Sequence, residues 1–564
     1  MRKKLFLFFA LSLFFASTSA QSPVKYFVQF TDKNNSNYSV SRPEEFLSPK
    51  AVENRNKFNI TITEQDLPVN RNYIEQILSI DTTIVLFTQS KWFNAITIYA
   101  TRDSLEYILD TLDFVKTVEI TSTMKEKEER IYKPHYYKNS RVPIVSTPTS
   151  MDELDYGKAY TQVRVNNIQW LHRMGFKGEG VVVMFMDGGF LNVDHVPHFE
   201  NLRNEGRLLG VRNFVNPGKN ALRLGSHGTM VLSCVASEIP GNLIGTAPKV
   251  MVFLANTEDG RTETKVEEDN WVAGIEWADS LGCMVLNSSL GYTKFDDTVA
   301  QPRSHADLDG KTSRASIAAT MASERGMIVC NSAGNEGNNK WRKIGCPADA
   351  DKILTVGAVD STATRVAFSS RGATADGRVK PDAVAVGRRT YVANPRGHTS
   401  QADGTSFSSP MLTGMVACLR QAFPNKTNFE IMDAIRKSGH QAENPNTLLG
   451  YGVTDFLKVY NILLQEHTIQ SGNGAKVMEF IFPSYVTTKN KLIINIFSEK
   501  AKTVSITTES RRTGKVTAKK HKLKRGMNTV KLSFTKNKDA EYDIYDLRIT
   551  GEGIDGRFVV GSED

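Results

Sequence analysis

Cysteine is scarce. There are five in 564 residues, Cys234, Cys283, Cys330, Cys346 and Cys418. An odd count leaves at least one thiol unpaired, and none of the five has the close spacing of a zinc site. Cys283 and Cys330 lie beside apolar, strand-like runs, so buried free thiols are expected, although an oxidising compartment would permit a disulfide. Beyond the N-terminus no apolar run approaches the roughly 20 residues a membrane span needs. Tandem repeats and low-complexity tracts are absent, and an apolar fraction of 40% excludes general disorder. No compact acidic loop of the EF-hand kind occurs, so no calcium ligands can be assigned. Charge excess is small, with 70 Lys and Arg against 61 Asp and Glu. The densest basic stretch, Lys515 to Arg525, comes with no nucleic-acid motif and reads as solvated surface. Nucleic acid is not expected as a partner.

What is present begins at the N-terminus. Arg2, Lys3 and Lys4 precede an apolar run over 5–15 and a small-residue stretch over 16–20. This pattern predicts a secretory signal cut after Ala20. The residue after the cut is Gln21 and not Cys, which argues against a lipoprotein. The chain is therefore expected to be exported, to the surface, the periplasm or the medium.

Three segments of different texture follow, as the length requires. Residues 21–122 alternate short strands (24–30, 83–87, 96–99, 115–120) with helices (49–58, 104–112), which predicts a small α+β domain. Residues 123–153 are charged, aromatic and Pro-containing and read as a linker. Residues 154–466 contain apolar runs at 181–186, 250–254, 284–286, 327–329 and 353–356, each followed by a Gly-, Asn- or Ser-rich turn. Such runs fit buried parallel strands of an α/β domain, whose functional groups gather at the strand C-terminal ends. Residues 474–564 alternate apolar and polar positions at 492–497, 504–508, 529–534 and 542–549, which predicts a β-sandwich.

The chemistry-bearing residues lie in the α/β segment. Asp187 ends an apolar run and precedes Gly188 and Gly189. Alone it reads as a turn former or cap. His227 stands in Gly225-Ser-His-Gly-Thr-Met and opens a helix-like run. Ser406 stands in Gly404-Thr-Ser-Phe-Ser-Ser-Pro, where a hydroxyl at a helix start sits in a positive field; the common alternative is an ordinary cap. Asn335 lies in the Gly-containing loop after 327–329. Together they suit acyl transfer, because a hydroxyl needs an adjacent base and the base needs a carboxylate to fix its tautomer.

The order Asp, His, Ser, with D-G-G, H-G-T and G-T-S-F-S-S-P around them, resembles the subtilisin-like serine proteases, the subtilases of peptidase family S8. Gly245-Thr-Ala-Pro, Ser289-Leu-Gly and Phe368-Ser-Ser-Arg-Gly add to the likeness, which covers about 154–466. Gly188 departs from it, since the family more often has Ser or Thr there. The resemblance implies a catalytic Asp187, His227 and Ser406, with Asn335 as an oxyanion-hole donor. It implies that Ser289, Leu290 and Gly291 pair with an extended substrate backbone, that Ala333 and Gly334 wall the S1 pocket and that Gly345 floors it. No cofactor is implied for the chemistry; structural Ca²⁺ is common in the family. Residues 21–122 resemble the family's propeptide, an intramolecular inhibitor and folding aid. Residues 474–564 resemble the sorting domains that engage cell-envelope secretion machinery, or equally an accessory β-domain. The rival readings are a catalytically inactive subtilase-fold binding or adhesion protein and an α/β-hydrolase. Gly404-Thr-Ser406-Phe-Ser408 and the chain order both break the pattern of the α/β-hydrolases.

Overall fold

The computed structural model describes residues 24–101, 105–124, 154–465, 478–481, 484–487, 491–498, 500–534, 541–551 and 554–563. The expected signal, 1–20, and most of the expected linker, 123–153, lie outside the described residues.

The central unit is built on a seven-stranded sheet. Its spatial order is Ala383–Val386, Leu354–Val359, Ile328–Ser332, Val285–Ser288, Val182–Asp187, Met251–Asn256, Leu208–Asn213. Every neighbouring pair is parallel. The inner strands are short and buried along their length, because helices cover both faces and leave no solvent side for polar alternation. One face packs on the helices His227–Ala236, Thr405–Ala422, Asn428–Ser438 and Phe456–Gln465 in a core that includes Val231, Leu412 and Ile435. The other face packs on Val266–Leu281 and Arg314–Glu324 through Trp271, Ile275 and Ala319. This is the α/β, subtilisin-like parallel sheet flanked by helices that the sequence predicts.

The N-terminal unit is a four-stranded antiparallel sheet in the order Val85–Ser90, Ala95–Ala100, Val24–Phe30, Val115–Ser122. Its helix Pro49–Lys57 starts where Ser48 Oγ accepts from the Ala51 N–H and proline occupies the first turn. A second helix, Arg71–Ser79, has no counterpart in the sequence reading. Asn70 caps it. The helix read over 104–112 is only Leu105–Leu109, and the chain turns after it. The unit sits on the helix Val266–Leu281 and meets it with buried polar side chains.

The C-terminal unit has a three-stranded sheet (Met478–Ile481, Lys491–Ser498, Gly526–Ser533) and a five-stranded one. The second runs Val486–Thr487, Ile554–Glu563, Tyr542–Gly551, Lys502–Ser510, Val516–Leu523. A core of Ile494, Ile506, Val530 and Leu547 lies between them. Val516–Leu523 was not legible as a strand, because almost all its residues are exposed and nothing alternates. The strand Ile554–Glu563 packs on the helix Phe456–Gln465 of the central unit. All five cysteines are buried and free.

Candidate active site

The parallel sheet ends its strands on one side, and the candidate residues stand there. Asp187 is the last residue of Val182–Asp187. His227 is the first residue of His227–Ala236. Ser406 is the second residue of the 18-residue helix Thr405–Ala422, entered through Gly404 at φ 151°, where a side chain would be strained. Asn335 lies in the loop after Ile328–Ser332.

Asp187 is wholly buried. Its Oδ1 accepts from the Gly188 N–H at 2.8 Å and faces His227 Nδ1 at 2.8 Å. A carboxylate can only accept, so Nδ1 carries the proton and Nε2 is left with its lone pair. The His227 side chain is 40% exposed, on the open side of the site. Burial works against its charged form, but the charge and the hydrogen bond of Asp187 outweigh it. The imidazole pKa is therefore raised above its ordinary value. Asp187 Oδ2 is buried with no hydrogen-bond partner among the described residues. Gly188, the next residue, offers it no hydroxyl.

Ser406 is 8% exposed, and its Oγ donates to the Ser289 carbonyl at 3.4 Å. No hydrogen bond joins it to His227, whose ring centre lies 5.8 Å from that of Phe407. In return Ser289 Oγ donates to the Ser406 carbonyl at 2.9 Å. These contacts fix the helix start against the segment Ser289, Leu290, Gly291, which extends the strand Val285–Ser288. Asn335 Oδ1 accepts from the Thr405 N–H at 2.8 Å and from Thr405 Oγ1 at 3.0 Å. With its oxygen so held, the amide nitrogen has no protein partner among the described residues and is the free donor of the loop.

Ala333 is buried, and Gly334, at φ 99°, donates its N–H to Thr405 Oγ1 at 3.1 Å. Gly345 faces the same region. A Cβ there would stand 3.0 Å from Thr293 Cγ2, and the neighbouring Cys346 bridges to Tyr292, next to Gly291.

One group was missed by sequence reasoning. Glu258, Glu263 and Glu267 bring carboxylate oxygens within 4.8 Å of one another. Burial, then repulsion from the other acids of the trio, raises Glu258 and Glu267 well above the carboxylate range, and burial, then repulsion from Asp296 and Glu268, raises Glu263 to about 7. Tyr292 donates its hydroxyl to Glu258. Three acids spaced five and four apart around Gly260 were the available signal, and they are the described residues best suited to hold a metal ion.

Comparison with known proteins agrees with this architecture. Residues 178–452 match the model of the subtilase family, and residues 25–134 match the peptidase S8 propeptide domain of Bacteroidota. Subtilisin DY of Bacillus licheniformis is 27% identical over 266 residues, 46% of this chain and 84% of that protein. Subtilisin E of Bacillus subtilis is 27% identical over 48% of this chain, and the match spans 62% of that protein. Among solved structures, fervidolysin from Fervidobacterium pennivorans, described as a keratinolytic enzyme related to subtilisin, superposes with a TM-score of 0.52 at 19% identity. That superposition covers 94% of this chain and 71% of fervidolysin, a likeness of fold. Residues 178–452 thus form a subtilase-family domain, preceded by a peptidase S8 propeptide domain over 25–134, and the relatives support a serine-type endopeptidase.

Proposed function

We propose that this chain is an exported endopeptidase that cleaves extended polypeptides through an acyl-enzyme on Ser406, with His227 as base and Asp187 as its orienting carboxylate. The observation that carries the reading is the 2.8 Å contact of His227 Nδ1 with a buried Asp187, which leaves Nε2 as a lone-pair acceptor on the exposed side of the ring.

In this reading the Ser406 hydroxyl turns from the Ser289 carbonyl to His227 when substrate enters. Nε2 takes its proton as Oγ attacks the scissile carbonyl. The oxyanion forms between Asn335 Nδ2 and the Ser406 N–H at the helix N-terminus. His227 returns the proton to the leaving amine, and water repeats the cycle to free the acid. Side chains and backbone supply every group in this sequence. Substrate backbone lies along Ser289, Leu290 and Gly291 as an added strand, which selects unfolded segments. Ala333 and Gly334 wall the pocket for the residue before the cut. Gly345 floors it and leaves room for a large apolar side chain.

The N-terminal unit would keep the precursor latent until the linker is cut. The leader over 1–20 supports export. Burial of Phe558, Val559 and Val560 at the junction with the central unit favours an accessory, stabilising role for the C-terminal unit over a detachable sorting domain. Engagement of envelope secretion machinery is its alternative use.

An inactive scaffold is the second reading, favoured by the Ser406 bond to Ser289 in place of His227. A fluorophosphonate probe decides between them. Covalent labelling of the processed protein that disappears in Ser406→Ala supports the peptidase. Equal labelling of both, or labelling of neither, overturns it.

A further inference from the structure

The C-terminal unit holds most of the chain's charge excess. Residues 474–564 contain 18 Lys and Arg against 11 Asp and Glu, a balance of +7 out of +9 for the whole chain. Six of these cations, Lys515, Lys519, Lys520, Lys522, Lys524 and Arg525, fall within eleven residues that contain no acid.

The structure gives this stretch a definite form. Val516–Leu523 is the outer strand of the five-stranded sheet and, among the described residues, pairs only with Lys502–Ser510. Lys520 and Lys522 stand opposite Ser505 and Thr503, and Lys519 and His521 opposite Ile506 and Val504. Successive side chains alternate across the strand, so Lys520 and Lys522 project from one face and Lys519 from the other. Ile506 and Val504 are buried, yet Lys519 opposite Ile506 is exposed, so this part of the strand overhangs the edge of the core, while Leu523 at its end stays buried. All six cations are exposed.

Many basic residues elsewhere in the protein are ion-paired. Arg511 pairs with Asp546, Arg325 with Asp66, and Arg436 and Lys380 with Asp382. Lys519, Lys520, Lys522, Lys524 and Arg525 have no acidic partner among the described residues. Same-face lysines on a strand are about 7 Å apart. This is within the roughly 8 Å screening length of physiological salt, so they repel one another. Burial and the Lys519 charge lower the His521 pKa, a sign of that local field. An edge strand can be protected from aggregation by one or two lysines. Five unpaired cations exceed that need.

We propose that the overhanging strand Val516–Leu523 and the turn after it form a binding ribbon for a linear anionic polysaccharide, which holds the peptidase on an anionic glycan surface. The geometry selects this occupant among polyanions. Cations on both faces of a projecting strand cannot all meet a flat membrane, whereas a flexible chain can pass along both. Single-stranded nucleic acid is bound through aromatic platforms interleaved with the basic residues. No aromatic residue occurs between Lys515 and Arg525.

The test uses the full chain on immobilised polygalacturonate, with neutral dextran, phosphatidylglycerol vesicles and single-stranded DNA as parallel probes. The proposal expects retention on polygalacturonate that weakens steeply with salt, no retention on dextran, and weaker binding to vesicles and DNA. The variant Lys519→Gln/Lys520→Gln/Lys522→Gln should bind polygalacturonate at least tenfold more weakly, and its slope of log affinity against log salt should fall by about two to three. A control triple, Lys158→Gln/Lys311→Gln/Lys352→Gln, also exposed, should keep wild-type affinity. Both triples should cleave a short peptide at the wild-type rate, which confirms that they are folded. Equal losses in the two triples, an unaffected first triple, or tighter binding to vesicles or DNA would each overturn the assignment.

Discussion

Arg55 of the N-terminal unit and Asp279 of the central unit meet at 2.6 Å with each side chain only 3% exposed. Around them Arg325 reaches Asp66 at 2.8 Å, Lys91 reaches Asp279 at 2.9 Å, and Arg55 approaches Asp66 at 3.6 Å. The charges alternate in origin, so each unit supplies partners to the other. Removing one member of a buried pair strands its partner and costs roughly 3–5 kcal/mol, while replacing both by apolar residues can be near neutral. Arg55→Ala in a separately added N-terminal unit should therefore raise its inhibition constant at least 100-fold. Arg55→Met against Asp279→Leu should recover most of that loss. A double substitution no better than the sum of the singles would show that the pair does not hold the interface.

Prodomain affinity should also depend on pH. Glu276 accepts from Ser90 Oγ and from the Lys91 and Trp92 N–H groups of the N-terminal unit. Burial there pushes its pKa up to about 7. Without the N-terminal unit it returns toward an ordinary carboxylate. The complex then holds more protons than its separated parts, so affinity is greatest in acid and falls as pH rises toward about 7. Against burial, Lys91 and Arg55 hold Asp279 low, so it titrates below this window. Inhibition constants measured from pH 5 to pH 8 should rise about tenfold, and Glu276→Gln should flatten the curve. A profile that rises toward acid would reverse the sign and refute the account.

The acid limb of catalysis should report His227. The imidazole must be neutral to take the Ser406 proton, and its pKa is raised, so kcat/KM should fall below a midpoint above 6.5. Asp187→Asn removes the charge that raises it and frees the wrong tautomer. The midpoint should move down and kcat should drop about 10⁴-fold. His227→Ala and Ser406→Ala should each be nearly inactive, and the double variant little worse than either. Retention of a tenth of wild-type kcat by His227→Ala would end the triad assignment.

Asn335 offers a cleaner separation of binding from chemistry. Its oxygen is held by Thr405, so its amide nitrogen is positioned before substrate arrives. Asn335→Ala should lower kcat roughly 100–1,000-fold with KM almost unchanged. An effect confined to KM, in steady-state kinetics on one peptide substrate, would place the residue in ground-state binding.

Motifs with local physical causes were legible in the sequence. Asp187, His227 and Ser406 each carry turn or helix-start residues around them, and each stands at a strand or helix end. The buried strands showed as apolar runs, with ends within three residues of those in the structure. Leu208–Asn213 escaped because an edge strand interrupted by Gly210 is only partly buried. Ala383–Val386 is four residues long and follows Pro381, too short for any period. The ring of Arg55, Asp66, Asp279 and Arg325 depends on residues brought together by the fold, and no local pattern announces it; Glu258, Glu263 and Glu267 lie close in sequence, but their spacing alone does not show that their carboxylates converge. Val516–Leu523 was visible as charge and invisible as a strand, since its stability comes from backbone pairing with Lys502–Ser510 and not from burial.

The junction of the central and C-terminal units makes the last prediction. Trp170 is 1% exposed, and a Cβ added at Gly561 would lie 2.4 Å from its Cη2. The strand can press on the indole only because residue 561 has no side chain. Two residues on, Glu563 accepts from Arg164 and Arg173, each at 2.7 Å, and the Arg173 guanidinium also stacks 3.9 Å from the Tyr542 ring centre. Asn461 of the helix Phe456–Gln465 donates to the Val559 carbonyl at 2.9 Å and accepts the Val559 N–H at 2.7 Å. A docked domain of this kind should unfold together with the catalytic unit. Gly561→Val forces the strand off Trp170, and overpacking of that sort costs about 1–3 kcal/mol. In a calorimetric scan the wild type should show the two units melting in one transition. Gly561→Val should lower that transition by several degrees or split it in two, and amide exchange should quicken along both Ile554–Glu563 and Phe456–Gln465. Exchange that quickens in the C-terminal unit alone, with the catalytic transition unmoved, would mean that the sandwich rides on the peptidase without supporting it.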